Sequence, residues 1–272
     1  MAIKLLALDI DGTLVPPHTG AVGITDRNKE ALKKAQDMGV LVTLCTGRAL
    51  GGAREFAEAL DLRGPLILFN GALIQDLKQE NTLRDLKMEE WMARDVARIA
   101  EDMKITYRSY HGDHIVERTL ADPMTNYINF QDTYTYEWPE EFPADHSGIS
   151  RMLIGGPEER LKEFEEKVRT SIHPEPYQVY YKGRRRMFLE VLAPEATKGH
   201  GLKALREALG LELSEVMAVG DNDNDVDMFR EAGVSVCMGN GTEEAIRAAK
   251  YMTGDFTESG VAQAVEKWIL EA

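Results

Sequence analysis

The chain is poor in cysteine, in aromatic residues and in positive charge. Its 272 residues include 2 cysteines, and Phe, Trp and Tyr make up 7%. Cys45 and Cys237 lie far apart in apolar stretches, which predicts buried thiols in a reducing compartment and no disulfide framework. Lys and Arg number 32 against 46 Asp and Glu, a formal net charge of −14. Because such a chain repels phosphate backbones and anionic lipids, neither nucleic acid nor a membrane is an expected partner.

Long hydrophobic runs and several familiar site motifs are also missing. No uncharged stretch approaches the roughly 18–20 residues of a membrane helix, and the apolar run 3–8 is too short for a secretory signal. We therefore expect a cytoplasmic protein. There is no Gly-x-x-x-x-Gly-Lys-[Ser/Thr] loop, which excludes a P-loop nucleotidase. The 6 histidines show no zinc-binding spacing.

Short apolar runs alternate with amphipathic segments at both ends of the chain. Thr25 and Thr197 each precede a helical pattern and are suitable N-caps. Strands that alternate with helices imply crossover connections and a parallel sheet, so the ends predict an α/β fold. The predicted strands are 3–8, 40–45, 66–69, 216–219 and 234–238.

The middle of the chain has a different pattern of predicted elements, with hairpins between amphipathic helices. The predicted elements are helices at 88–102, 122–131 and 158–171, a hairpin at 105–117, a strand at 149–154 and a hairpin at 177–192. We therefore expect an α+β domain at 82–190, inserted into a core formed by 1–81 and 191–272.

Two carboxylates follow the first predicted strand, in the segment Asp9-Ile10-Asp11-Gly12-Thr13. Ligands of open α/β sheets bind at the carboxyl ends of the strands, which is where these side chains lie. Crowding Asp9 and Asp11 costs Coulomb energy unless a cation is present. Gly12 allows a tight turn beside them. The pair therefore indicates a cation site, although an Asp-x-Asp-Gly turn alone is equally compatible with a helix cap.

Three further polar segments follow predicted strands. Thr46-Gly47-Arg48 comes after the second strand, and Lys198 begins a helix although its charge opposes the helix dipole there. Asp221, Asn224 and Asp225 belong to an acidic segment after the strand at 216–219. An EF-hand loop starting at Asp221 is excluded, because its sixth residue is not glycine and its twelfth is not glutamate. All four segments can meet at one sheet edge.

Together these segments resemble the four motifs of the haloacid dehalogenase-like phosphohydrolases, over the whole chain. The motifs are Asp9–Thr13, Thr46–Arg48, Lys198 and Gly220–Asp225. The segments Asn70-Gly71-Ala72, Met238-Gly239-Asn240 and Gly260-Val261-Ala262 look like the Cof-type branch, although Gly241 stands where that branch more often has Ala. The resemblance implies a Rossmannoid core with a parallel sheet. It also implies a large α/β cap of class IIB, located where the insert falls, that closes over the site and supplies specificity.

The resemblance also implies the site roles. Asp9 is the nucleophile that becomes an aspartyl phosphate, Asp11 the general acid and base, and Lys198 offsets charge between nucleophile and phosphate. The implied substrate-binding residues are Gly12, Thr46, Gly47, Arg48, Lys198 and Asn224. The implied magnesium site comprises Asp9, Asp11 through its main-chain carbonyl, and Asp221, with Asn224 and Asp225 orienting ligands, waters or Lys198.

The expected substrate is a small phosphorylated metabolite, with sugar phosphates the leading class by resemblance, and the expected assembly is a monomer or small homo-oligomer. Arg184 and Arg186 either form a solvated hairpin tip or reach a substrate anion. A phosphosugar mutase that retains the aspartyl phosphate is one alternative. A catalytically silent regulator that binds phosphate and metal is another, and the presence of both Asp9 and Asp11 argues against it. The net charge disfavours a phosphatase acting on nucleic acid.

Overall fold

A computed structural model describes the chain at residues 2–17, 19–123, 135–172, 178–181 and 188–271. It divides into two compact units, one formed by Met1–Asp85 with Thr197–Ala272 and the other by Leu86–Ala196. From the sequence the inserted domain is expected at 82–190, whereas the second unit spans Leu86–Ala196. Within the described ranges, none of the helices combines the length and apolar character needed to span a bilayer.

The strands and helices have the following bounds. The strands are β1 (Leu5–Leu8), β2 (Leu41–Leu44), β3 (Leu66–Leu68), β4 (Leu73–Gln75), β5 (Thr82–Asp85), β6 (Thr106–His111), β7 (His114–Arg118), β8 (Thr135–Glu137), β9 (Arg151–Gly155), β10 (Gln178–Tyr181), β11 (Phe188–Leu192), β12 (Val216–Gly220), β13 (Val234–Cys237) and β14 (Tyr251–Met252). The α-helices are α1 (Asp26–Asp37), α2 (Leu50–Ala59), α3 (Glu90–Met103), α4 (Glu158–Ser171), α5 (Lys198–Ala208), α6 (Val226–Arg230), α7 (Glu243–Ala248) and α8 (Gly260–Val265).

The first unit is built on a parallel sheet with the strand order β14-β13-β12-β1-β2. β1 is buried along its whole length, as expected for a strand covered on both faces. Its neighbours are β12 and β2, with Leu8 in register with Val219 and with Leu44. The residues after these three strands therefore emerge side by side at the carboxyl edge. The predicted α/β class with a parallel sheet is confirmed.

The strand predicted at 66–69 differs in its partners from the sequence expectation. β3 pairs antiparallel with β4, which pairs antiparallel with β5, in a separate small sheet. A single parallel bridge between Cys45 and Ile67 connects it to the end of β2. The apolar run of β3 shows that it is buried but carries no information on strand direction. Because β5 pairs with this sheet, residues up to Asp85 belong to the first unit.

The second unit is an α+β structure around a mostly antiparallel sheet with the order β10-β11-β9-β6-β7-β8. β8 is the exception and runs parallel to β7. Side chains of α3 and α4, including Val96 and Phe164, form one apolar core with Tyr107 and Met152 of the sheet. β11 belongs to this sheet, which is why the unit extends past residue 190. The predicted helix at 122–131 lies almost entirely outside the described residues.

Candidate active site

A buried lysine joins two carboxylates at the carboxyl edge of the parallel sheet. Lys198 Nζ lies 2.8 Å from Asp9 Oδ1 and 2.6 Å from Asp225 Oδ1, and none of its side chain is exposed. Burial disfavours the ammonium, but the two carboxylates outweigh that effect and raise the pKa of Lys198 above its usual value. The lysine is therefore a fixed positive charge beside Asp9.

Local structure explains why Lys198 can stand in the first turn of α5. The Thr197 side chain caps the helix by accepting a hydrogen bond from the His200 N–H. Asp225 offsets the unfavourable helix dipole from the other side, since its Oδ1 accepts from Lys198. Its Oδ2 accepts from the backbone N–H groups of Asp221 and Asn222, each at 2.9 Å. Asp225 thus ties the lysine to the loop after β12.

Asp221 faces Asp9 from the adjacent strand. Thr13 Oγ1 donates to Asp221 Oδ1 over 2.8 Å, which connects the loops after β1 and β12. Gly12 lies between them with φ of +90°, and a Cβ there would lie 2.3 Å from Asp221 Oδ2. The close approach of the two loops therefore requires glycine at this position.

The carboxylates of this cluster are suited to a divalent cation. Asp9, Asp221 and Asp225 each place one oxygen within 4.8 Å of the others. Burial and the charges of Asp9 and Asp225 raise the pKa of Asp221 to about 8, and burial, opposed by Lys198, raises that of Asp9 to about 6. Lys198 alone does not balance three carboxylates, so the donor set fits a hard cation such as Mg²⁺. Both oxygens of Asp225 already accept hydrogen bonds, which leaves Asp9 and Asp221 better placed as direct ligands.

Asp11 is held by Arg48 in a two-point contact. Arg48 Nε donates to Asp11 Oδ2 and a terminal guanidinium nitrogen donates to Oδ1, both over 2.9 Å. The guanidinium also donates to the Gly52 carbonyl and stacks over the Phe56 ring, 4.8 Å from its centroid. Arg48 is buried, whereas the Asp11 side chain is 21% exposed. The structure thus places the guanidinium, expected to bind substrate, against the predicted general acid.

Thr46 and Gly47 form the turn after β2. Thr46 is buried, and its Oγ1 accepts from the Arg48 N–H over 3.2 Å. The Thr46 N–H donates to the Ile67 carbonyl, and the Thr46 carbonyl accepts from the Asn70 N–H. A Cβ on Gly47 would lie 3.2 Å from the Asn70 amide. The turn is consequently packed tightly against the loop after β3.

Three side chains that bind this site's loops were not among the predicted site residues. Thr13 binds Asp221, Asn70 Oδ1 accepts from Asn224 Nδ2 over 3.1 Å, and Asn240 Nδ2 donates to the Gly12 carbonyl over 2.8 Å. Each of the three lies within a segment that carries the family resemblance, and that resemblance was the one signal in the sequence that could have identified it. Arg184 and Arg186 lie outside the described residues.

Comparison with known proteins identifies the family of the chain. The family model described as haloacid dehalogenase-like hydrolase matches residues 6–265. The 5-amino-6-(5-phospho-D-ribitylamino)uracil phosphatase YcsE of Bacillus subtilis is 31% identical, over 98% of this chain and 96% of its own length. A crystal structure of a haloacid dehalogenase-like hydrolase from Bacteroides thetaiotaomicron aligns with a TM-score of 0.85 and 27% identity, covering 97% of this chain and 99% of that one.

The fold of a second solved structure is also shared. The subclass IIB sugar phosphatase BT4131 aligns with a TM-score of 0.80 and 24% identity, covering 97% of this chain and 98% of its own. Haloacid dehalogenase-like hydrolases generally use Mg²⁺, and the cluster of Asp9, Asp221 and Asp225 offers the oxygen ligands for such an ion. The predicted family is therefore confirmed: the chain belongs to the haloacid dehalogenase-like hydrolases.

Proposed function

We propose that the protein is a magnesium-dependent phosphomonoesterase that works through an aspartyl phosphate on Asp9. The observation that carries this proposal is the buried contact of 2.8 Å between Asp9 and Lys198, with Asp221 beside them. A phosphomonoester dianion repels nucleophiles, so its hydrolysis depends on positioning and on neutralising charge. A carboxylate nucleophile held by a fixed cation meets both needs.

The different surroundings of Asp9 and Asp11 explain their different roles in the proposed reaction. Asp9 is buried against Lys198, whereas Asp11 is more exposed and anchored by Arg48. An Asp9 oxygen forms a bond to phosphorus while the bond to the leaving alkoxide breaks, and protonated Asp11 gives its proton to that alkoxide. Asp11 then takes a proton from the water that attacks the phosphorus of the aspartyl phosphate. That step releases phosphate and regenerates Asp9.

The remaining residues bind and orient the phosphoryl group. Thr46 and the backbone N–H groups near Gly12 and Gly47 would donate to its oxygens, while Lys198 offsets their charge. Asp9, Asp221 and the Asp11 carbonyl would hold Mg²⁺, which supplies further neutralisation of phosphoryl charge when bound. Asp225 holds Lys198, and Asn224 orients groups in the site.

For the substrate we propose a small phosphorylated metabolite of the sugar or polyol phosphate class. The name of YcsE describes a phosphorylated ribityl compound, and that of BT4131 describes sugar phosphates. The net charge of −14 supports a small substrate over a nucleic acid. Residues of the second unit would select it. Two free, buried cysteines fit a reducing cytoplasm. The proposed assembly is a monomer or small homo-oligomer.

The test is phosphate release from p-nitrophenyl phosphate and a panel of sugar phosphates, with Mg²⁺ and with EDTA. We expect Mg²⁺-dependent release that falls at least about a thousandfold in Asp9→Asn. Asp223→Asn is the matched control, because this exposed carboxylate lies in the same loop as Asp221 but outside the cluster, and asparagine keeps the oxygen that accepts from Thr242. Isomerised phosphosugar without free phosphate would support a mutase instead. Binding of Mg²⁺ and phosphate without turnover would support a silent regulator.

A further inference from the structure

Gly12, in the loop after β1, is held at both of its peptide groups. Its φ of +90° lies in the left-handed region, and glycine is the residue whose backbone moves most freely. The Gly12 N–H donates to the Val15 carbonyl over 2.8 Å, and the Gly12 carbonyl accepts from Asn240 Nδ2 over 2.8 Å. Because a peptide group is planar, the first bond also fixes the Asp11 carbonyl and the second fixes the N–H of Thr13. The two bonds therefore orient the neighbours of Gly12 on both sides.

The bond from Asn240 comes from a loop that is remote in the chain. Asn240 follows β13 and is 228 positions from Gly12. A carbonyl oxygen can only accept, so the amide must present its NH₂ group to Gly12. Within its own loop, the peptide group between Gly12 and Thr13 has a longer hydrogen bond, 3.3 Å from the Thr13 N–H to the Ile10 carbonyl. Asn240 is exposed, so its replacement removes the shorter bond without leaving a cavity in the core.

The segment 240–242 also contacts the loop after β12. The Thr242 N–H donates to the Asp221 carbonyl over 2.8 Å. Glycine at position 241 permits this approach, because a Cβ there would lie 2.4 Å from Cys237 Sγ and 3.3 Å from the Asp221 carbonyl oxygen. The segment 240–242 therefore contacts both of the loops that carry the proposed magnesium ligands.

We propose that Asn240 is a positioning residue for the magnesium site and acts by holding Gly12. The inference rests on the proposed function, because that function assigns Mg²⁺ to ligands that include Asp221 and the Asp11 carbonyl. Mg²⁺ tolerates little departure from octahedral geometry, so ligands from two loops must be held at a fixed separation. Gly12 lies between the two, since the Asp11 carbonyl precedes it and Thr13, which donates to Asp221 Oδ1, follows it. Asn240 thus stabilises the spacing of the ligands and is not itself a ligand.

The first test measures the dissociation constant of Mg²⁺ for the whole protein by titration calorimetry, without substrate. Asn240→Leu has a similar size but no donor, and we expect it to raise this constant about tenfold. Asn240→Gln keeps the NH₂ group on a longer side chain and should recover part of the loss. Asn81→Ala is the matched control, because Asn81 is also exposed and its amide donates to Asp76, outside the segment 240–242. It should leave the constant unchanged.

The second test moves the segment without changing Asn240. Gly241→Ala places a methyl group against Cys237 Sγ, so it should displace the segment and also raise the dissociation constant of Mg²⁺ about tenfold. Cys237→Ala alone should leave the constant within about twofold of the wild-type value. Combined with Gly241→Ala, it removes the sulfur that the methyl group meets and should recover part of the affinity.

Thermal unfolding separates positioning of the ligands from a general loss of stability. In EDTA, Asn240→Leu should lower the unfolding midpoint no more than Asn81→Ala does. In Mg²⁺ it should lose most of the increase that the wild-type protein gains from the ion. Equal losses in EDTA and in Mg²⁺ would overturn the inference, and so would a dissociation constant for Asn240→Leu within twofold of the wild-type value.

These outcomes also distinguish the inference from the proposed function. A wild-type protein that binds Mg²⁺ but releases no phosphate would overturn the proposed function alone, and the dissociation constants would still decide the role of Asn240. A wild-type protein that binds no Mg²⁺ would overturn both.

Discussion

The two cations of this site, Lys198 and Arg48, are each paired with carboxylates from other loops. The ammonium of Lys198 would be costly to bury alone, but Asp9 and Asp225 lie 2.8 and 2.6 Å from it. Asp11 and Arg48 form a second pair nearby. The excess of carboxylates over these two cations is what a divalent ion would correct, and this leads to predictions for metal binding and for Arg48.

Adding Mg²⁺ should stabilise the first unit through the carboxylate cluster. At 100 times its dissociation constant, a ligand of the folded state adds about 2.7 kcal/mol to the free energy of unfolding. We expect Asp221→Asn to lose most of this gain, because it removes one of the two best-placed ligands. Asp223→Asn should retain it. Thermal unfolding in Mg²⁺ and in EDTA measures the effect, and equal gains in both variants would contradict the assignment of Asp221.

Arg48→Lys should lower kcat about 10–100-fold. Lysine keeps the positive charge, but it cannot donate to both Asp11 oxygens from a planar fork as Arg48 does. We expect KM to change little if the guanidinium orients Asp11, and to rise strongly if it binds the substrate phosphate. Steady-state kinetics on p-nitrophenyl phosphate with Mg²⁺ distinguishes these two roles.

Among the elements, the turns after the strands bring the site together. β1, β2 and β12 are neighbours in the parallel sheet, so the loops that follow them meet at one edge. The loop after β3 joins them through the bridge between Cys45 and Ile67 and through the contact of Gly71 with Thr197. Gly71, in the loop between β3 and β4, lies against the start of α5.

Gly71→Ala should lower the free energy of unfolding by about 2–4 kcal/mol. Its φ of +93° strains an L residue, and the new Cβ would meet the Thr197 carbonyl at 2.1 Å. Gly39→Ala is the matched control, since Gly39 has φ of +90° with nothing within 4 Å of a Cβ, and only the backbone strain of about 1 kcal/mol applies. Urea unfolding measures both. Equal losses would show that the approach to Thr197 does not matter.

For the molecule as a whole, two units with separate cores can respond differently to solution conditions. The core of the second unit is formed by α3, α4 and its own sheet. His146 in this unit is 3% exposed, and within the described chain its Nε2 has no hydrogen-bond partner. Its ring contacts that of Phe142, with 4.9 Å between the centroids. A neutral imidazole suits this environment better than a charged one.

Acid should therefore destabilise the second unit first between pH 7 and pH 5. Burial and the nearby Arg94, opposed by Asp145 and Glu90, lower the pKa of His146 below 6.5, and burial beside His114 lowers that of His111. Above pH 6.5 both histidines are neutral in the folded and in the unfolded chain, so neither lowers the free energy of unfolding. As the pH falls, the unfolded chain binds protons that the folded unit does not, so the free energy of unfolding decreases.

Hydrogen exchange of peptides from α3 and β6 at both pH values measures this loss. His146→Gln should remove the contribution of His146 to the acid-induced loss of stability and leave the contribution of His111. An unchanged pH dependence in His146→Gln would show that this ring does not control the stability of the unit.

The sequence by itself determined the fold class, the family and the identities of the polar residues that follow the strands. Apolar runs and capping residues such as Thr25 are local signals. A fully buried strand such as β1 can therefore be predicted without knowledge of its neighbours. Asp9 and Asp221 could be predicted to meet because β1 and β12 are parallel and end at a common edge. Lys198 follows no strand of that sheet, since it begins α5 after β11 of the second unit.

Only the tertiary structure decided which partner each of these groups has. It paired Arg48 with Asp11, bound both oxygens of Asp225, and placed β3 antiparallel to β4. It also brought Asn70 to Asn224, residues 154 positions apart in the chain. Such contacts depend on distances of a few ångströms between loops that are remote in sequence, and neither composition nor periodicity encodes those distances. The packing of the sheet fixes them.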